Sequence, residues 1–371
     1  MVAASRAPET RGLLREGWSD GKETRMERMT VTSFNDVVIV IPNYNGKAFI
    51  SACLDSIRNQ TYRDSSTIVV DNGSTDGSVE YIRQNFDWVK VLPLNENRGY
   101  AGGVNEGIKL VLESRNVEQI GIVNNDAVME RNWLEVLLAF MKKNPAVASC
   151  QGKVLFTTSK RINTLGISPL PDGSALNLGI GLDDRSLPDF EVFGVSGAAA
   201  LYRVAAMREA GLFDDEFFAY MEDVDMAWRL RLHGWKSFLV GDAIVHHVHS
   251  LSSRSREFKL HLITRNSNYV LIKNLPIAYW VLYPFSFMKY RVGASLTRKE
   301  RFDALTDRLS ITKLLRILTK ANAESVLGLP SMLMKRRNLR KAQNVLKGCE
   351  GEWLRRFSAD IGDYLIQAYN Q

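Results

Sequence analysis

Four apolar runs of strand length, "DVVIVIP" at 36–42, "STIVVD" at 66–71, "VKVLPL" at 89–94 and "QIGIVNND" at 119–126, alternate with amphipathic segments near 47–59, 77–85, 102–115 and 131–143. Continuous Val/Ile runs suit strands covered on both faces, and parallel strands need crossover helices between them. The pattern therefore predicts an α/β chain whose central sheet is Rossmann-like, mostly parallel and flanked by helices. In such sheets ligands gather beyond the carboxyl ends of the strands. Here those ends carry "PNYNG" (42–46), "DNGSTDGS" (71–78) and "NND" (124–126). Any one of them is explained as a turn; together on one rim they predict a binding crevice.

Several chemistries are excluded by spacing. "DNGSTDG" has Gly73 and Thr75 where a calcium loop needs Asp or Asn, and no Glu stands at its twelfth position. The glycine-rich "GYAGGVNEG" (99–107) has the wrong intervals for G-x-G-x-x-G, and the chain contains neither G-K-[ST] nor H-E-x-x-H. A dehydrogenase, a kinase and a zinc protease are not supported. Cys53, Cys150 and Cys349 lie far apart without a C-x-x-C pair, so no disulfide framework or structural zinc site is expected. A reducing cytoplasm fits this usage.

The 371 residues, 45% of them hydrophobic, suffice for one large α/β domain and an appendage. Residues 1–34 lack apolar periodicity and the h-region of a secretory signal, and read as a disordered leader in which Met26 or Met29 is an alternative start. The α/β domain is expected over 35–274 and a helical, basic extension over 275–371. The aromatic stretch "LPIAYWVLYPFSFM" at 275–288 is broken by two prolines and too short to span a bilayer. Residues 289–347 hold 15 Lys and Arg against 4 Asp and Glu, an excess larger than the whole chain's +7. Nucleic-acid binders interleave aromatics with basic groups; here the aromatics precede them, so no nucleic-acid partner is expected. An anionic membrane surface is the expected partner, met by the 277–288 block and by Lys335, Arg336, Arg337, Arg340 and Lys341. A solvated basic face capping the main domain is the alternative.

The segment "AYMEDVDMAWRLRLHGW" (219–235) sets Glu222, Asp223 and Asp225 within four positions ahead of a basic, aromatic helix. Taken alone, carboxylates at a helix start explain it equally well. "VHHVHS" (245–250) offers three histidines, of which His247 and His249 fall on one side of a strand.

In their order along the chain, "VVIVIPNYNG", "VVDNGSTDGS", "NENRGYAGGVNEGI", "IVNNDAVM", "VSGAAALYR" and "GLFDDEFFAYMEDVDMAWRLRLHGW" resemble the family 2 glycosyltransferases over about 36–250. The likeness is greatest to bacterial rhamnosyltransferase-like members that build cell-surface polysaccharides, and "TRNSNYVLIKNLP" (264–276) is similar to the same subgroup. The resemblance implies a GT-A fold, an inverting mechanism, a nucleoside diphosphate sugar and a divalent cation, Mg²⁺ or Mn²⁺. It implies that Pro42, Asn43, Tyr44 and Asp71 meet the nucleobase, with Asp71 favouring a pyrimidine, and that Arg98 beside Gly99 meets phosphate. Asp126 becomes the metal ligand, with His247 and then His249 as further ligands and Asn124 and Asn125 beside the donor. The family pattern is D-x-D, and "NND" is one carboxylate short of it.

In the "ED" motif the resemblance makes Asp223 the general base and Glu222 the group that orients the acceptor, leaving Asp225 to cap the helix or pair with Arg229. The expected donor is dTDP-rhamnose, followed by UDP-linked sugars, and the expected acceptor is a lipid-linked or growing glycan at the inner face of the cell membrane. The alternative reading is a non-catalytic nucleotide-sugar-binding subunit of a polysaccharide assembly complex.

Overall fold

The computed structural model describes residues 34–248, 256–280, 309–341, 346 and 348–357. His249, residues 281–288 and, apart from Phe34, the expected leader lie outside them. The described residues belong to one compact unit that begins at Phe34.

The first half is the βα succession read from the sequence: β1 (Val37–Asn43), α1 (Lys47–Arg58), β2 (Ser65–Asp71), α2 (Ser78–Asn85), β3 (Lys90–Pro93), α3 (Gly99–Glu113) and β4 (Gln119–Val123). There follow β5 (Ala127–Met129), α4 (Trp133–Lys143), β6 (Val147–Phe156), and four three-residue strands, β7 (Ile162–Thr164), β8 (Ile167–Pro169), β9 (Ala175–Asn177) and β10 (Phe190–Val192). Then come β11 (Ala199–Arg203), α5 (Val204–Ala210), α6 (Glu222–Leu232), β12 (Lys236–His247) and α7 (Arg256–Asn274).

The main sheet runs β10-β12-β6-β11-β4-β1-β2-β3, with β5 joined to β12 and β7 to β6. The block β3-β2-β1-β4 is parallel, β11 lies antiparallel between β4 and β6, and β12 is parallel to β6. This is the mixed α/β fold expected. The apolar runs are continuous because alternate side chains enter different cores. Val37, Ile39 and Ile41 pack with Ile50, Leu54, Trp133 and Leu137 of α1 and α4, whereas Val38 and Val40 pack with Val104 and Ile108 of α3 and Leu230 of α6. β3 departs from the expectation of burial on both faces: it is the edge strand, half-buried along Lys90–Leu92 and exposed at Pro93. Proline is tolerated there because no ladder partner calls on its missing N–H.

Three helices of the extension, α8 (Ile311–Leu327), α9 (Leu329–Lys341) and α10 (Glu350–Phe357), complete the described residues. Met332, Leu354 and Phe357 share a core with Tyr269 and Leu271 of α7 and Trp228 of α6. Tyr279 and Trp280, at the start of the aromatic block, pack against the same core. No helix among the described residues is long and apolar enough to cross a membrane.

The five basic residues of α9 are not one free patch. Lys335 lies 2.6 Å from Asp214 and 2.7 Å from Glu216, Arg336 donates to the carbonyls of Ile272 and Leu275, and Arg340 donates to the Asn274 carbonyl and pairs with Glu350. For these three, the expectation of a surface-facing charge is corrected: buried carbonyl and carboxylate oxygens recruit them to fasten α9 to the domain. Arg337 and Lys341 are exposed.

Candidate active site

The strand ends form a hydrogen-bonded rim. Register places Asn43 beside Asp71, and the Asn43 amide donates to Asp71 Oδ1 at 2.8 Å. Asn125 donates to Asn43 Oδ1 at 2.8 Å, linking the end of β4 to that of β1. Gly46 makes room for this link: a Cβ there would overlap the side chains of both Asn125 and Asn43. Asp71 is buried, and its carboxylate also accepts from the hydroxyl and backbone N–H of Ser74. Pro42 and Tyr44 flank Asn43, each half-buried.

Asn72 ties the second motif to the third, donating to the Gly99 carbonyl at 2.7 Å and accepting from the Arg98 N–H at 2.9 Å. The Arg98 guanidinium is exposed and engaged by Glu106 at 3.2 Å and Glu96 at 3.7 Å. Gly99 has φ +74°, and a Cβ would overlap the Phe218 carbonyl oxygen, so both backbone conformation and space call for glycine.

Asp126 follows β4 at the inner side of the rim. Because β5 pairs antiparallel with the end of β12, His247 opposite Ala127 is brought to Asp126, with Nε2 3.0 Å from Oδ1. Asn124 Nδ2 lies 3.4 Å from the same imidazole nitrogen. Asp126 and His247 are both buried. Among the described residues no three His, Cys, Asp or Glu side chains cluster as a metal site. One carboxylate and one imidazole still fit a divalent cation that completes its shell with phosphate and water oxygens.

The acid pair begins α6. The Asp223 carboxylate accepts from the Gly197 N–H at 3.1 Å and the Val224 N–H at 2.8 Å, and Tyr100 donates to the Gly197 carbonyl at 2.7 Å. The motifs "VSG" and "MED" thus meet at one carboxylate, and "GYAGG" braces Gly197 behind it. Glu222 is buried, and no described group bonds its Oε2. Burial, and secondarily the neighbouring Asp223 charge, push the Glu222 carboxyl well above the usual range. Burial also raises Asp223, but its backbone N–H partners oppose the shift. Both carboxyls are thus raised by burial, Glu222 further through the Asp223 charge, while the Gly197 and Val224 N–H groups favour the ionised form of Asp223.

Asp225, the third carboxylate of the segment, is fully buried and paired with Arg229 at 2.8 Å and Lys273 at 3.0 Å, and accepts from Asn274 at 2.9 Å. Burial opposes its ionisation, but Lys273 and Arg229 prevail and hold it well below the usual carboxylate range. It anchors α6 to α7.

The chain reaches Glu222 through a strained loop. Phe218, Tyr220 and Met221 have φ of 62°, 66° and 71°, a region that bulky residues occupy rarely. At Phe218 ψ is −62° and the Ala219 N–H donates to the Phe217 carbonyl, the rare classic γ-turn. Asn266 of α7, fully buried, brings its amide within 2.7–2.9 Å of the carbonyls of Phe217, Ala219 and Tyr220, and Arg265 donates to Glu216 and Phe217. Reading the residues alone assigned no role to Asn266, Arg265, Tyr100 or Gly197. Arg265 and Asn266 sit inside "TRNSNYVLIKNLP", noted only as a likeness, and nothing in their spacing points to a loop 46 residues upstream of Asn266.

Residues 38–211 match the profile of glycosyl transferase family 2. The chain is 29% identical over 278 residues to the N-acetylglucosaminyl-diphospho-decaprenol L-rhamnosyltransferase of Mycobacterium tuberculosis, a match covering 65% of this chain and 85% of the relative. Among solved structures it superposes on a mannosyltransferase of Pyrobaculum calidifontis in complex with GDP-Man and Mn²⁺, with a TM-score of 0.50 and 17% identity over 84% of this chain and 86% of that one. It also superposes on GalNAc-T7 with UDP, GalNAc and Mn²⁺, with a TM-score of 0.51 and 14% identity over 74% of this chain and 56% of that one. At such identities the structural likeness speaks for the fold.

Proposed function

We propose that this chain, which matches glycosyl transferase family 2 over residues 38–211 and has a GT-A fold, moves a sugar, rhamnose being the first expectation, from a dTDP- or UDP-linked donor to a hydroxyl of a lipid-linked glycan. The reaction is a single displacement. Asp223 takes the acceptor hydroxyl's proton as that oxygen bonds to the anomeric carbon, and the carbon–oxygen bond to the diphosphate breaks with inversion. Glu222, buried beside Asp223, orients the acceptor.

Asn43, Tyr44 and Asp71, with Pro42 shaping their turn, hold the nucleoside, while Asn124 and Asn125 hold the ribose side of the donor. Arg98 meets the phosphates on exchanging its surface carboxylates for them. Asp126 and His247, with His249 from outside the described residues as a further ligand, would hold a divalent cation, Mg²⁺ or Mn²⁺, which when bound would supply positive charge for the departing diphosphate. The proposed place of work is the inner face of the cell membrane, in keeping with an acceptor of the diphospho-decaprenol kind named for the relative.

The observation carrying this reading is the acid pair at the start of α6, where the Asp223 carboxylate accepts from the Gly197 and Val224 N–H groups beside the buried Glu222. The test is steady-state transfer by Asp223→Asn and Glu222→Gln, with donor affinity measured separately. Loss of a general base lowers the rate by about 10² to 10⁴-fold while the donor still binds. Wild-type turnover in Asp223→Asn together with abolished turnover in Glu222→Gln would reverse the assignment.

A further inference from the structure

A cleft of about 650 Å³ opens between α7 and α8, separate from the strand-end rim. Into it α8 presents Lys313, Arg316 and Lys320, whose spacings of three and four place them on one helical face, and α7 adds Arg265. Phe218, Phe258, Leu262 and Ile317 give it an apolar wall.

The cleft's own carboxylates offset part of this charge. Glu257 pairs with Lys313 at 2.5 Å; Glu324 lies 2.8 Å from His261, 3.8 Å from Arg265 and 3.9 Å from Lys320. Four permanent cations thus face two carboxylates, and among the described residues none of the ion pairs involves Arg316. The cleft keeps a positive surplus beside an apolar wall.

Its position relates it to the acid pair. The Phe218 ring stands edge-on to Phe258 at 6.2 Å, and the same residue opens the strained loop that delivers Glu222 four positions later. A neutral sugar has no charge to match this surplus, and the nucleotide already has its own rim. The chemistry that suits both walls is a phosphate group carried on an apolar chain, since Lys and Arg bind phosphate oxygens by charge-assisted hydrogen bonds.

We propose that this cleft binds the diphosphate of the acceptor, holding the lipid-linked end while the sugar hydroxyl reaches Asp223. The proposal rests on the transferase reading given above and adds the acceptor's anionic subsite to it. Arg316→Glu with Lys320→Glu is the test, because both side chains are exposed and their reversal leaves the core intact; an unchanged Tm verifies this.

Two acceptors are compared: a glycosyl diphosphate on a short, water-soluble isoprenoid chain, and the same glycan on a neutral alkyl group. The double variant raises KM for the diphosphate acceptor about tenfold or more, the scale of a lost charge-assisted hydrogen bond. KM for the neutral acceptor and the slow hydrolysis of donor by water stay unchanged. Equal effects on both acceptors, or no effect on either, overturn the proposal.

Inorganic pyrophosphate titrated calorimetrically into wild type and double variant, without donor, gives a readout that needs no turnover. Weaker binding by the variant supports the subsite even if the transferase reading fails, and equal binding sinks it. If the variant loses flotation with anionic vesicles lacking acceptor while its KM for the soluble diphosphate acceptor is unchanged, the cleft serves bilayer headgroups and the proposal is wrong.

Discussion

Three carboxylates within four positions have three different fates, and burial with hydrogen bonding decides among them. Asp223 accepts from two backbone N–H groups that oppose the rise caused by burial; Glu222 is pushed well up by burial and by the Asp223 charge; Asp225 is ionised by two buried cations. Since burial raises Asp223, the acid limb of kcat/KM lies above the pH range of an ordinary exposed carboxylate, and activity falls as pH drops through that limb. A pH-rate profile whose acid limb sits at the ordinary value near 3.9 would contradict this. Glu222→Gln lowers turnover while leaving thermal stability equal or higher, because it replaces a desolvated acid with a neutral amide. Asp225→Asn behaves oppositely, leaving Lys273 and Arg229 short of a counter-charge and costing about 3–5 kcal/mol. Because the folded pKa of Asp225 is depressed, that deficit is full above the unfolded pKa of about 3.9 and shrinks as pH falls through the folded value. Denaturation of both proteins between pH 3 and pH 8 checks it. The resemblance named the roles of the "ED" pair, but the contacts around it were not legible, since Gly197, in the loop before β11, and Tyr100 of α3 come from distant parts of the sequence.

At the scale of elements, the apolar runs of β1, β2 and β4 marked their strands clearly because both faces of each are buried. The three-residue strands β7 to β10 were illegible: segments so short carry no period, and pairing partners define them. α3 begins at Gly99, three residues before the amphipathic pattern suggested, since its first turn is spent on close approach to Phe218. The loop over 218–221 stores positive-φ strain that the Asn266 amide offsets. Asn266→Ala leaves three carbonyls without this donor and destabilises the protein by about 1–3 kcal/mol. At a temperature where the variant is fully folded, kcat falls because Glu222 and Asp223 lose their fixed approach, and donor affinity is unchanged because the rim uses other elements. Equal losses in donor affinity and kcat would make Asn266 a general scaffold residue instead.

For the whole molecule, composition located the positive charge correctly, yet side-chain direction decides which charges reach the outside. Reversing Lys335, Arg336 and Arg340 would undo the docking of α9, so membrane attraction is tested on the exposed Arg337 and Lys341 alone. Arg337→Glu with Lys341→Glu leaves Tm unchanged and weakens flotation with anionic vesicles at low salt, each charge near the surface contributing about 1 kcal/mol. Unchanged flotation would leave the extension as a cap on the domain. The proposed reaction is one in-line displacement at the anomeric carbon, with Asp223 as base and no enzyme-bound sugar between donor and product. The anomeric configuration of the first-formed product, read by proton NMR from a donor of known anomer, tests it most directly. Inversion is expected; a product with the donor's own configuration would rule out a single displacement with Asp223 as base.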